Sequence, residues 1–313
     1  MFHPDTPGAG RAPNPLERFA VVPTPVRLDA HPQFTGQGVT IALLDSGFQP
    51  HPDLTAPKSR IATFVDANRP DEVCAFGPPQ PFDWHGTQTS VAAAGNGHLS
   101  GGLYRGVASD ARVVLVRIGE RGRISDEHIA RGIEWVIANK ERYRIDVVNI
   151  SAGGDEPISY TSSIADQAAE EAVRLGLVVV VAAGNSGFEM NHQPMPPANS
   201  PSVITVGGYD DKNGLQHGDV DLYRSSFGPT VDGLLKPEIV APAAWVAAPV
   251  LPGTDQAQKA EALATLAAAA DDELRDLVRE LGLRAGLVAT LADRPATEIR
   301  VAVDEAMRSA KLV

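Results

Sequence analysis

The feature that most constrains the fold is a recurrence of short, continuously apolar runs separated by helical stretches. The runs cover residues 39–44, 112–118, 145–150, 177–183 and 203–206, and they are rich in Val, Ile and Leu. Strands that alternate apolar with polar residues have one wet face; strands that are apolar throughout are buried on both faces, as in a parallel sheet. Between the runs, residues 87–94, 126–139 and 163–174 read as helices. A parallel strand pair needs a crossover, and a helix supplies it. The pattern therefore predicts an α/β fold with a doubly wound parallel sheet. In such sheets the reactive residues gather at the carboxyl ends of the strands.

The flanking segments read differently. Residues 1–32 carry Pro13, Pro15, Pro23, Pro25 and Pro32, which fix φ and remove donors, so an extended arm is expected there. Residues 33–253 hold the strand and helix pattern. From 254 to 313 the chain turns rich in Ala, Leu and Glu: Leu263, Leu266, Ala270, Leu274, Leu277 and Leu281 recur every three or four residues. That spacing predicts one or two amphipathic helices over 255–281, with Gly282 as a stop, and a further helix over 297–310.

Composition narrows the function. A net charge of −12 and the absence of any Lys or Arg cluster oppose a nucleic-acid partner. Cys74 is the only cysteine, so no internal disulfide forms; it reads as a small packing side chain. No apolar run has the length of a signal peptide or membrane span, which makes a cytoplasmic protein with no membrane partner the expectation. A nucleotide-binding domain is opposed by the lack of a Gly-x-Gly-x-x-Gly after the first strand and of any Gly-Lys-Ser/Thr loop.

Three residues at run ends carry chemistry. Asp45 ends the first run and is followed by Ser46-Gly47, His85 opens a helical stretch as His85-Gly86-Thr87, and Asn185 follows the run 177–183 in Ala183-Gly184-Asn185. Taken singly, each has an ordinary explanation as a turn, a cap or a packing residue. Taken together, an Asp that accepts from one ring nitrogen of a His leaves the other nitrogen able to deprotonate a hydroxyl. The Asn amide can donate to a developing oxyanion.

Order and flanks supply the family. His51-Pro52-Asp53-Leu54, Gly106-Val107-Ala108, Gly132-Ile133-Glu134-Trp135, Asn149-Ile150-Ser151-Ala152-Gly153-Gly154, Ser225-Ser226-Phe227-Gly228-Pro229 and Lys236-Pro237-Glu238-Ile239-Val240-Ala241-Pro242 follow in sequence around the three residues. Over roughly 36–253 the chain resembles the subtilases, the subtilisin-like serine peptidases. The resemblance implies a three-layer subtilisin-like domain and a serine endopeptidase acting on polypeptides. It implies that Asp45 orients His85, that His85 is the general base and acid, and that Asn185 supplies an oxyanion donor. It further implies that Ser151, Ala152 and Gly153 wall the specificity pocket, with Gly122, Arg123 and Ile124 as the opposite edge strand, so that a peptide binds by strand addition.

The chain also departs from the family. Thr89-Ser90-Val91 stands where Val-Ala-Gly is usual, which alters packing beneath the histidine. The stretch 95–102, in the place of a calcium loop in some members, is poor in oxygen side chains, so no cofactor is expected and calcium has little to hold it. His51, His98, His128, His192 and His217 show no metal-ligand spacing. Above all, no Gly-Thr-Ser-x-Ala stretch follows Asn185 anywhere up to Val313. Gly253-Thr254-Asp255-Gln256-Ala257 mimics it with Asp255 in the nucleophile's place, and a carboxylate does not replace an alkoxide. The expectation is a domain incomplete at its C-terminus, with 254–313 a helical insertion ahead of a missing serine segment that would be its partner. The alternative is an inactive peptide-binding module.

Overall fold

The computed structural model describes residues 21–215 and 218–310. They belong to two compact units, one spanning Val22–Leu251 and the other containing the chain from Pro252 onward. In chain order the first unit forms α1 (Thr24–Arg27), β1 (Thr40–Asp45), α2 (Pro52–Thr55), β2 (Ile61–Asp66), α3 (Trp84–Ala94) and β3 (Arg112–Arg117). It continues with α4 (Asp126–Tyr143), β4 (Val147–Ile150), α5 (Ile164–Arg174), β5 (Val178–Ala182), β6 (Ile204–Asp210), β7 (Asp221–Leu222), β8 (Gly228–Pro229), β9 (Leu235–Lys236) and β10 (Ile239–Pro242). The second unit has α6 (Asp255–Ala268), α7 (Leu274–Ala285) and α8 (Ala296–Ala310).

The expected parallel sheet is present, in the order β10-β6-β5-β4-β1-β3-β2. Every neighbour pair along that path is parallel, and β7 adds a short antiparallel pairing to β6. The run at 203–206 extends to Asp210. The edge strands β2 and β10 had no continuous apolar run to announce them. β2 is interrupted by Thr63 and β10 sits among prolines, so pairing with a neighbour, rather than local pattern, makes them strands.

The two faces of the sheet are covered unequally. One face carries Ala42, Leu44, Val114, Val116, Val148, Ile150, Val179 and Val181 under α4 and α5, with Ile129, Ile133 and Ala169 packed on them. On the opposite face α3 covers β1 and β3, burying Leu43, Val113, Leu115 and Val91 together with Phe48 and Leu54. Beyond β1 that same face continues through Val178 and Val180, Ile204 and Val206, then Ile239 and Ala241, as the register shows. There the cover stops: Val178 is 46% exposed and Ile239 53%.

Residues 1–20 of the expected arm lie outside the described residues. The remainder is not extended as expected. Thr24–Arg27 makes one helical turn, because Pro25 falls in the first turn, where its fixed φ fits and its missing N–H is not needed. Arg27 is buried, paired with Asp211 and bonded to the carbonyls of Val22 and Trp245 at 3.0 and 2.7 Å. A second correction concerns Gly282, which lies inside α7 rather than ending it; Gly286, at φ 77°, is the left-handed cap. The segment 255–281 breaks into α6 and α7 around Ala269 and Ala270, and Leu263, Leu266, Leu274 and Val278 are buried in that unit.

Candidate active site

Asp45 and His85 meet through two close backbone approaches. Asp45 is the last residue of β1 and is 2% exposed; His85 is the second residue of α3. A Cβ on Gly86 would lie 2.1 Å from the carbonyl oxygen of Gly47, and one on Gly47 would lie 2.2 Å from Asp83 Oδ1. Only residues without a side chain let the start of α3 descend onto the turn after β1. The Asp-Ser-Gly and His-Gly-Thr stretches are two halves of one contact.

That contact places His85 Nδ1 at 2.9 and 2.8 Å from Asp45 Oδ1 and Oδ2. A buried carboxylate only accepts, so Nδ1 carries the proton and donates it. Asp45 also accepts from the Ser46 backbone N–H at 2.8 Å; the Thr89 hydroxyl lies 3.3 Å from Oδ2 and is shared with the Gly86 carbonyl at 3.1 Å, while the Ser46 hydroxyl donates to the Phe82 carbonyl at 2.7 Å. The hydrogen bond to Asp45 raises the His85 pKa above its ordinary value, burial opposes this, and the Asp45 charge adds to the rise. Nε2 makes no hydrogen bond among the described residues, and the Trp84 ring stands edge-on 5.2 Å away. An imidazole fixed in one tautomer with an open second nitrogen is equipped to take and return a proton.

Thr89 is the residue that sequence reasoning missed here. Its sequence setting suggests only a change in packing, yet it is one helical turn beyond His85 on the same face and touches the same carboxylate. The spacing of four puts Thr89 on the face of His85 but carries no sign of the carboxylate on β1.

Asn185 is exposed at the carboxyl end of β5, and its side chain has no partner among the described residues. It shares a recess of about 320 Å³ with Asn149, Ser151 and Ser225. Asn149 Nδ2 donates to Ser151 Oγ at 3.1 Å, which holds the end of β4 toward that recess. Ala152 packs against the core and Gly153 is exposed. Since β1, β4 and β5 are successive neighbours, Asp45, Ser151 and Asn185 lie along one edge of the sheet.

Gly122, Arg123 and Ile124 do not form the expected edge strand. Arg121 and Gly122, at φ 49° and 82°, are the centre of a two-residue turn closed by reciprocal backbone bonds between Glu120 and Arg123 of 2.9 and 3.0 Å. A primed turn of this kind matches strand twist. With no strand alongside, the outer edge of Ile124 has nothing to ladder with.

Thr254 is the N-cap of α6, its hydroxyl accepting from Ala257 N–H at 3.2 Å, so the Gly-Thr-Asp stretch is a capped helix start. His51 caps α2 through its ring, His128 closes a capping box at α4, and His192 stacks on Phe227. His217 lies outside the described residues. In the 95–102 loop Asn96 donates to Ala56 O at 2.7 Å and the Leu99 N–H to Asp53 Oδ1 at 3.0 Å. Those oxygens are engaged by protein donors, and among the described residues no group of His, Cys, Asp and Glu is arranged for a metal ion. No described helix is long and apolar enough to cross a membrane.

Residues 36–271 match the subtilase family (Peptidase_S8). The chain is 39% identical over 217 residues to the serine protease AprX of Bacillus subtilis (strain 168), a stretch covering 66% of this chain and 47% of that protein. It is 34% identical over 212 residues to subtilisin BL of Lederbergia lenta, covering 66% and 65%, and 31% identical over 235 residues to subtilisin E of Bacillus subtilis (strain 168), covering 74% and 54%. The matched stretch spans about half to two thirds of these relatives. Among solved structures, Sphericase superposes with a TM-score of 0.55 at 23% identity over 75% of this chain and 77% of that one. The S41 psychrophilic protease gives 0.53 at 24% identity over 66% and 67%. Both share the fold.

Proposed function

We propose, from the premise that the chain belongs to the subtilase family, that it supplies the cleft, the base and the oxyanion donor of a serine endopeptidase. The family hydrolyses peptide bonds with a serine nucleophile, and polypeptides are its substrates. The observation that carries the reading for this chain is the His85 imidazole held by Nδ1 on the buried Asp45 carboxylate.

In this reading Asp45 keeps the proton on Nδ1 and stabilises the imidazolium that forms during reaction. Nε2 removes the proton from a serine hydroxyl as its oxygen attacks the peptide carbonyl, then returns that proton to the departing amine. The Asn185 amide donates to the negative oxygen of the tetrahedral intermediate; loss of one such donor costs on the order of 10²–10³ in turnover. The substrate lies extended between 151–153 and the 120–124 turn. No cofactor is required.

The serine is the part that residues 1–313 do not hold in the family's Gly-Thr-Ser-x-Ala setting. We assign it to a further segment that packs on the bare half of the sheet, whose apolar residues are otherwise left in water. On its own, the 313-residue chain is expected neither to hydrolyse casein nor to be labelled by a fluorophosphonate. Stoichiometric labelling that is lost in His85→Ala would overturn the assignment. The absent motif also favours a second reading, a peptide-binding module that never cleaves. Reading the frame beyond Val313 separates the two: a Gly-Thr-Ser-x-Ala stretch whose product cleaves casein selects the peptidase.

A further inference from the structure

Next to the candidate site, at the carboxyl ends of β2 and β3, lies a recess of about 200 Å³. Three guanidiniums line it, those of Arg69, Arg117 and Arg121, against two carboxylates, those of Asp66 and Glu120. In a chain of net charge −12 this is a local reversal of sign.

The recess adjoins the cleft through specific contacts. Arg117 is the register partner of Asp45 in the β1–β3 pair. Phe82, which forms one wall, accepts a hydrogen bond at its carbonyl from Ser46 Oγ at 2.7 Å and stands three residues before His85. Glu120 and Arg121 belong to the 120–123 turn, the segment along which the proposed substrate runs.

The donors are not used up internally. Asp66 is engaged on both oxygens, by Arg117 Nη2 and by the Asn68 N–H at 3.0 Å. Arg117 Nη1 nevertheless makes no hydrogen bond among the described residues, while its Nε–H, also without an acceptor, is buried. Arg121 has no partner among the described residues, and Arg69 is held only by an exposed contact with Glu72 at 3.7 Å. Exposed pairs of that kind are weak and easily exchanged. Among the lining side chains guanidiniums outnumber carboxylates by one, with Glu72 and Asp83 outside the lining, and the planar forks match a carboxylate. Phe82 offers the apolar surface that the methylenes of such a side chain need.

We propose that this recess is a subsite for the carboxylate of an acidic side chain in the extended peptide bound along the 120–124 turn, giving the cleft a preference for Glu or Asp at one position. The inference rests on the peptide-cleft reading above.

The test uses the purified 313-residue chain and fluorescence anisotropy of labelled decapeptides in which a single Glu, or its isostere Gln, is walked along a neutral sequence. At one position the Glu peptide should bind at least about tenfold more tightly than the Gln peptide, as expected for charge-assisted hydrogen bonds. The preference should shrink as salt rises. It should drop below about twofold in Arg69→Gln/Arg121→Gln, whose changed side chains lie at the surface and leave the core intact. Glu120→Gln, which removes a like charge, should strengthen it. Saturable binding with no Glu preference at any position overturns the subsite alone. So does a preference that survives the double substitution, or a phosphoserine peptide that outcompetes the Glu peptide. If no peptide binds saturably, the cleft reading itself fails and the subsite with it.

Discussion

Asp45 and His85 each had an ordinary explanation in isolation; what made them legible as a pair was their order and the residues around them. Their physical coupling is measurable. His85 has a raised pKa whose largest cause is the hydrogen bond to Asp45. Because the folded value lies above the unfolded one, the contribution to stability is fully present below about pH 6.5 and is lost as pH rises through the folded value. An NMR titration of the His85 ring should give a midpoint above 6.5. In Asp45→Asn the midpoint should fall below that of the unmodified chain, since burial, which lowers it, then acts without the carboxylate. Equal midpoints in the two proteins would show that Asp45 does not orient the ring. Thr89 was not legible as a partner of Asp45 because its hydroxyl acts across the first turn of α3, and only the seating of that helix brings it within 3.3 Å.

Among elements, α5 shows how packing reverses a local rule. An Asp in the first turn of a helix is favoured as an anion by the free N–H groups there. Asp166 occupies that position, and its N–H is capped by Ser163 Oγ at 3.1 Å. Yet Asp166 is fully buried between α5 and Ser200, which donates to Oδ1 at 2.6 Å while Oδ2 has no partner. Burial pushes its pKa up to about 6, against the hydrogen bond from Ser200 and the nearby Ser163 hydroxyl, and with added repulsion from Asp126 and Glu170. The folded state therefore holds this proton more tightly than the unfolded one. Its stabilising effect is present below about pH 4 and is lost as pH rises through about 6. Asp166→Asn removes that loss, so its melting temperature relative to the unmodified chain should climb between pH 4 and pH 8, by the equivalent of up to about 3 kcal/mol. A difference that stays flat with pH would show that Asp166 is ionised normally. The helix itself was plain from spacing; the buried acid was not, because Ser200 reaches it from a distant part of the chain.

For the whole molecule, the main feature is a parallel sheet whose β1, β3, β4 and β5 are covered by α4 and α5 on one face, while the other face is covered only over β1 and β3. Parallel sheets are normally buried on both faces. Val178, Ile204 and Ile239, which share that half-bare face, are all more than a third exposed, and so form an apolar surface in the folded chain. The purified protein should bind an apolar dye such as anilinonaphthalene sulfonate without denaturant while keeping the near-ultraviolet circular dichroism of a packed core. Absence of dye binding would mean that this face is covered. The continuous apolar runs determined the class of fold, the parallel sheet and the helices between strands, because a strand buried on both faces has to be apolar throughout whatever it packs against. The ordered short motifs determined the family. Tertiary structure alone decided the edge strands β2 and β10, the turn where an edge strand had been expected, the Thr89 contact and the arginine recess beside the cleft. Each of these depends on which groups distant in sequence are brought within a few ångströms, and neither periodicity nor spacing along the chain encodes that distance.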